Sequence, residues 1–235
     1  MSLSDKEKFN LIKPLPEGWP KDEKGVPFLK RDIALDKIDW NNVKYTSHSN
    51  IKSVKDKENT IILNYQYDKS INCIYNDIFN YALKVHNFLA ITTPDYSAYM
   101  NMEPWKIEEN VSHNLWVGVW LQYLNLMVIP TITWANERTY DICFNHIEKG
   151  SVVTISTIGV SNCQKEFLKG FNEMMKRIEP SLVLIKGKPI KGMFGNLLFI
   201  DFNETFSNKN EYVQLHLFEL VRTQKIKKDG DNYGW

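Results

Sequence analysis

The sequence predicts an α/β fold: a mostly parallel sheet or partial (β/α) barrel flanked by helices, with an irregular N-terminal arm. Three observations predict it. From residue 60 onward, short apolar runs alternate with segments of helical periodicity. Two of the runs, residues 152–156 (VVTIS) and 182–185 (LVLI), are largely apolar on both faces, as strands covered on both sides are. Strands that alternate with helices favour parallel pairing, joined by right-handed crossovers.

Residues 1–59 form a separate compositional zone, in which Pro14, Pro16, Gly18, Pro20, Gly25 and Pro27 fall too close together for long regular elements. Trp19, Phe28, Trp40 and Tyr45 give this arm something to bury, so it is expected to pack on the domain. The domain proper is expected over residues 60–222, with a frayed, Lys-, Asp- and Gly-rich tail at 223–235.

Within the domain, residues 60–65 read as a strand. Residues 70–85 read as one helix, because Ile71, Ile74, Ile78, Tyr81, Ala82 and Val85 recur at three- and four-residue steps. A strand over 87–92 and a helix over 108–124 follow, the latter with a broad apolar face of Val111, Leu115, Trp116, Val119 and Trp120. Residues 126–134 read as a continuous strand, and 139–147 as a short helix ended by Gly150. Then come a strand at 151–157, an amphipathic helix at 165–178 stopped by Pro180, a strand at 181–186 and a last one near 197–202. Six candidate strands are too few for a full eightfold barrel.

The 29 basic and 28 acidic side chains nearly cancel, which excludes a domain-wide electrostatic footprint for nucleic acid but not a local basic groove. Three widely spaced cysteines, Cys73, Cys143 and Cys163, with no C-x-x-C, argue against a disulfide framework and a structural zinc site. The histidines show no ligand spacing, and no metal or cofactor is expected. A polar, lysine-rich start, and Gln122, Asn125 and Pro130 interrupting the most apolar stretch, lead to the expectation of a cytoplasmic protein with no membrane span. Phosphate-loop, dinucleotide-binding, nucleophile-elbow and zinc-protease motifs are absent.

In parallel α/β folds ligands collect beyond the carboxyl ends of the strands, where loops and helix N-termini converge. Polar groups do follow each predicted strand here. Asp95, Tyr96 and Ser97 follow one, and Trp134, Glu137 and Arg138 another. Ser156 and Thr157 follow a third, and Lys186 and Lys188 flank Gly187 after a fourth. Asp95 and Glu137 are the candidate acid–base pair. Tyr96, Ser97, Trp134, Arg138, Ser156, Thr157, Lys186 and Lys188 are the candidate ligand-binding groups, the cations suited to phosphate or carboxylate.

The same segments carry a family resemblance. Thr93-Pro94-Asp95-Tyr96-Ser97, residues 128–134 (VIPTITW), Glu137-Arg138-x-Tyr140-Asp141, Gly150-Ser151, Ser156-Thr157-Ile158-Gly159, Phe167-x-x-Gly170-Phe171 and Gly187-Lys188-Pro189 together resemble the DUF4417 family of bacterial, archaeal and phage proteins. The resemblance covers roughly residues 60–200. The family pattern is aromatic before its Gly-Lys-Pro and acidic before its equivalent of Glu137; here those positions are Lys186 and Asn136. The resemblance implies a protein of phages, plasmids and other mobile elements, and no particular activity.

The leading expectation is therefore a mobile-element protein that binds an anionic ligand, a nucleotide or single-stranded nucleic acid at its strand ends. The alternative is a hydrolase or glycoside-processing enzyme with Asp95 and Glu137 as acid and base, whose carboxyls would have to lie within about 10 Å of each other. A third is an assembly protein with a flat surface at that end.

Overall fold

The computed structural model describes residues 3–200 and, as backbone, the strand at 211–215. Its strands are β1 (Lys44–Ser47), β2 (Thr60–Leu63), β3 (Ala90–Thr92), β4 (Val128–Ile129), β5 (Val152–Ser156), β6 (Leu182–Lys186), β7 (Gly195–Ile200) and β8 (Glu211–Leu215). Its helices are α1 (Asp5–Ile12), α2 (Asp68–Asn76), α3 (Ile78–Val85), α4 (Pro104–Tyr123), α5 (Tyr140–Phe144) and α6 (Gln164–Ile178).

Strands β1 to β4 pair in chain order, all parallel, and β5 to β7 do the same. Among the described strands only β8 runs antiparallel, against β7. The two sheets meet where Thr131 bridges Thr154 in parallel, with Thr154 N–H donating to the Pro130 carbonyl and Ile132 N–H to the Thr154 carbonyl, both at 2.9 Å. Pro130 has no N–H of its own, which is why the apolar run at 126–134 gives only a two-residue strand and then a single bridge.

The combined sheet curls into a partial barrel. One buried cluster takes side chains from every strand through β7, among them Tyr45, Leu63, Ala90, Ile129, Val152, Leu184 and Leu198. Their immediate neighbours face the other way. Ile62, Ile91 and Val128 pack under α2, α3 and α4, while Val153, Ile155, Val183 and Ile185 pack under α5 and α6. Alternation across the pleat thus builds an inner core and two outer ones from the same strands.

The helices follow their apolar spacing. In α6, Phe167, Gly170, Phe171, Met174 and Ile178 are buried, and Glu179 closes the helix in a left-handed conformation ahead of Pro180. Pro104 sits in the first turn of α4, where its missing N–H costs nothing. The single helix expected over 70–85 is instead two, because Asp77 leaves helical geometry between them (φ −146°, ψ 66°). Aspartate competes for backbone groups and is at home at such breaks.

The arm holds more regular structure than its prolines predict. α1 begins with a capping box, Ser4 and Glu7 satisfying each other's N–H groups. Phe9 of α1 packs on Trp116 and Trp120 of α4. The indole N–H groups of those tryptophans donate to the Lys13 and Pro14 carbonyls at 2.9–3.0 Å. Further along, β1 joins the sheet itself, pairing with β2 over four residues.

Candidate functional site

The carboxyl ends of the parallel strands share one end of the barrel, and inward-facing positions there carry polar side chains. From β2 comes Tyr65, whose hydroxyl crosses the interior to the Thr154 hydroxyl of β5 at 2.7 Å. From β6 comes Lys186, 8% exposed, whose Nζ donates to the Tyr65 carbonyl at 3.2 Å and lies 4.9 Å from the centre of the Tyr65 ring. From the loop after β3 comes Asp95, which accepts from the Thr133 hydroxyl beyond β4 at 2.9 Å. Ser156 pairs in register with Lys186, and its hydroxyl donates to the Lys186 carbonyl at 3.4 Å.

The loop that carries Asp95 is held from three sides. Asp95 N–H donates to the Asn64 carbonyl at 3.1 Å. Asn110 and Asn114, one turn apart on α4 and both buried, reach down to the Ser97 and Pro94 carbonyls at 2.7 Å. The Ser97 hydroxyl and N–H both donate to Asp68 at the start of α2. Such a clamp fixes the carboxylate against the barrel interior.

Placement decides the charge states. Asp95 keeps some surface at the rim, yet it is packed deeply enough that burial pushes its carboxyl up to about 6. The Thr133 hydroxyl and the Lys186 charge oppose that rise, and Asp68 adds to it. Burial pulls the Lys186 amine down to about 8 against the attraction of Asp95. Burial also raises the Tyr65 hydroxyl, with Asp95 contributing. An acid and a base brought toward neutrality in one enclosed place are what functional sites are built from.

A second feature lies outside this mouth. Met100, Ala135, Asn136, Glu137, Arg138, Tyr140, Glu166 and Lys169 line a groove of about 250 Å³ between the loops after β3 and β4 and the start of α6. Asn136 caps the short turn there, accepting from Arg138 N–H, and leaves Glu137 and Arg138 exposed. The groove has the room and a Tyr140 hydroxyl raised by burial, whereas the mouth holds the raised Asp95 carboxyl and the lowered Lys186 amine.

The predicted residues therefore divide. Asp95, Ser156 and Lys186 gather at the mouth, whereas Glu137 and Arg138 line the groove. Lys188 is exposed at the rim, its carbonyl accepting from the Thr157 hydroxyl at 2.8 Å. Gly187 between the two lysines has φ +122°, and a Cβ there would fall 2.4 Å from the Thr157 oxygen, so the Gly-Lys-Pro and Ser-Thr-Ile-Gly segments are shaped to each other. Tyr96 is buried beside His113, and Ser97 is spent on Asp68. Trp134 packs on Phe167 and Phe144. A Cβ on Gly170 would fall 2.0 Å from the Trp134 indole nitrogen, which explains the glycine of Phe167-x-x-Gly170-Phe171. Sequence reading missed Tyr65, Thr133, Asn110 and Asn114, which look like ordinary strand and helix residues until the barrel curls. It also missed a thiol–imidazole contact at this end, Cys73 Sγ to His48 Nε2 at 3.7 Å.

Among the described residues no group of three or more acidic, His or Cys side chains could hold a metal ion, and no helix is long and apolar enough to cross a membrane. The architecture is that of an α/β protein with parallel strands and a polar strand-end mouth. More narrowly, the chain belongs to the DUF4417 family, a domain of unknown function whose model matches residues 23–203. It is 37% identical over 102 residues to the Gene 1 protein of Mycobacterium phage L5, covering 42% of this chain and 44% of that protein. It is 33% identical over 102 residues to the Gene 1 protein of Mycobacterium phage D29, covering 42% of this chain and 38% of that one. The match thus spans less than half the length of each curated relative. No solved structure matches.

Proposed function

We propose that this phage-related protein binds a small anionic ligand at the barrel mouth, with Lys186 as its electrostatic anchor. The observation that carries this is the position of the Lys186 amine: inside the barrel, at the end of a strand, with Asp95, Thr133 and Ser156 forming the partly open rim around it. A buried ammonium is costly without a counter-charge. Asp95 supplies one, and burial pushes its carboxyl up to about 6, so protonation there removes a negative charge that would oppose an incoming anion. Lys188 on the exposed rim adds attraction for an approaching anion.

The hydrolase alternative is less well supported, since Asp95 belongs to the mouth and Glu137 to the groove. The test is binding of inorganic phosphate, lactate, ATP and a short oligothymidine, by calorimetry across pH. At least one small anion is expected to bind more tightly as pH falls through about 6, the point at which Asp95 loses its repulsive charge. Lys186→Met should abolish that binding, and Asp95→Asn should make it independent of pH in this range. Equal binding by wild type and Lys186→Met, or preference for the oligonucleotide with no dependence on Lys186, would overturn the reading.

A further inference from the structure

We infer that the groove outside the mouth binds a small zwitterion of amino-acid size, one that carries an ammonium, a carboxylate and an apolar side chain. It is a second site, independent of the anion reading at Lys186. Each of its two walls offers one acid and one base. Glu137 and Arg138 stand side by side on the turn after β4. Glu166 and Lys169 lie three residues apart on the first turns of α6, on one helical face. All four are exposed, and among the described residues none of these side chains enters an ion pair or a hydrogen bond. Further along α6, by contrast, Arg177 holds Asp141 at 2.6 Å and Glu173 at 2.7 Å. The charges of the groove are therefore turned to open space rather than to each other.

Tyr140 is the second observation. It lines the same groove and is only 6% exposed, its ring packed on Phe144, yet among the described residues its hydroxyl has no hydrogen-bond partner. A polar group so placed costs free energy unless water or a ligand meets it. Burial, with Glu137 and Glu173 adding to it, raises this hydroxyl, so it keeps its proton and donates to a carboxylate. The balance of signs selects the ligand. A simple anion meets Glu137 and Glu166, a simple cation meets Arg138 and Lys169, and like charges brought together oppose binding. A molecule with both charges suits all four: its carboxylate takes Arg138, Lys169 and the Tyr140 hydroxyl, and its ammonium takes Glu137 and Glu166. Met100 and Ala135 give its side chain an apolar lining, and about 250 Å³ is room for a small molecule only.

The experiment titrates the full chain with leucine, methionine and phenylalanine by calorimetry at neutral pH. Beside them run two single-charge relatives of leucine: isocaproate, which lacks the amine, and isoamylamine, which lacks the carboxylate. At least one amino acid is expected to bind, and each relative at least about tenfold more weakly than leucine. Arg138→Gln and Glu166→Gln, both at exposed positions where folding is not at stake, should each weaken the amino acid. Tyr140→Phe keeps the packed ring and should cost about three- to tenfold, the worth of one hydrogen bond. No binding of any of the three amino acids up to about 10 mM overturns the inference. So does isocaproate binding as tightly as leucine, or binding that survives Arg138→Gln combined with Glu166→Gln. Binding lost on Lys186→Met but kept in the groove variants assigns the ligand to the mouth, which overturns the inference and spares the anion reading.

Discussion

The mouth and the groove lie at the same end of the barrel and are built by different means. Mouth residues point where they do because strand pleating leaves no choice: Tyr65, Thr154 and Lys186 extend the inward rows of β2, β5 and β6. Groove residues hang from loops and the first turns of α6, and Glu137 and Arg138 face water. The first region sets a raised carboxyl beside a lowered amine, and the second combines room with a raised tyrosine hydroxyl.

Gly170→Ala is the strongest way to break this division. The added methyl collides with Trp134, which stands between Thr133 of the mouth and Asn136 of the groove. Overpacking there should destabilise the protein by about 3 kcal/mol and disturb both regions together, measured by urea unfolding. Loss of only one region would show the two to be mechanically independent.

The charge pair gives the next effect. A carboxyl raised from 3.8 to about 6 in the folded state binds its proton more tightly there than in the unfolded chain. Its contribution to stability is therefore full below about pH 4 and lost as pH rises toward 6. Wild type relative to Asp95→Asn should lose about 2 kcal/mol over that interval, part of the nominal linkage being screened at the rim. Lys186, lowered from 10.5 to about 8, works in the other direction: the folded state sheds its proton first, so stability rises above pH 8. Between these values both groups are charged at a cost, and Lys186→Met with Asp95→Asn should stabilise the protein by about 2 kcal/mol while removing binding. A destabilised double variant would mean that the pair is structural.

Arg138→Ala and Glu137→Ala should be the mildest, within about 0.5 kcal/mol of wild type by thermal unfolding, as for exposed side chains without fixed partners. A larger loss would show that the groove holds up the mouth.

Much of this was legible in the residues. Apolar runs followed by helical periodicity gave the parallel order, and the rule of strand carboxyl ends gave Asp95, Ser156 and Lys186 as neighbours. Two things resisted. Inward and outward positions cannot be told apart in a strand covered on both faces, so Trp134, buried behind the wall, looked equivalent to Thr133 on its inner side. Loop residues follow no period, so Glu137 could not be separated from Asp95 by pattern. Of the two positions that depart from the resemblance, Lys186 is the buried amine and Asn136 caps the turn at the groove, whereas Gly170 and Gly187 of the shared segments serve close packing.

The tethering of the arm bears on how the chain can be cut. The family match begins at residue 23, yet the carbonyls of Lys13 and Pro14 upstream receive the indole protons of Trp116 and Trp120. A fragment trimmed to the matched region would strand two donors on the flank of α4 and uncover the aromatic patch beneath Phe9. Trimmed material should be prone to clump, and the emission colour of those two indoles would betray the damage before any loss of helix content.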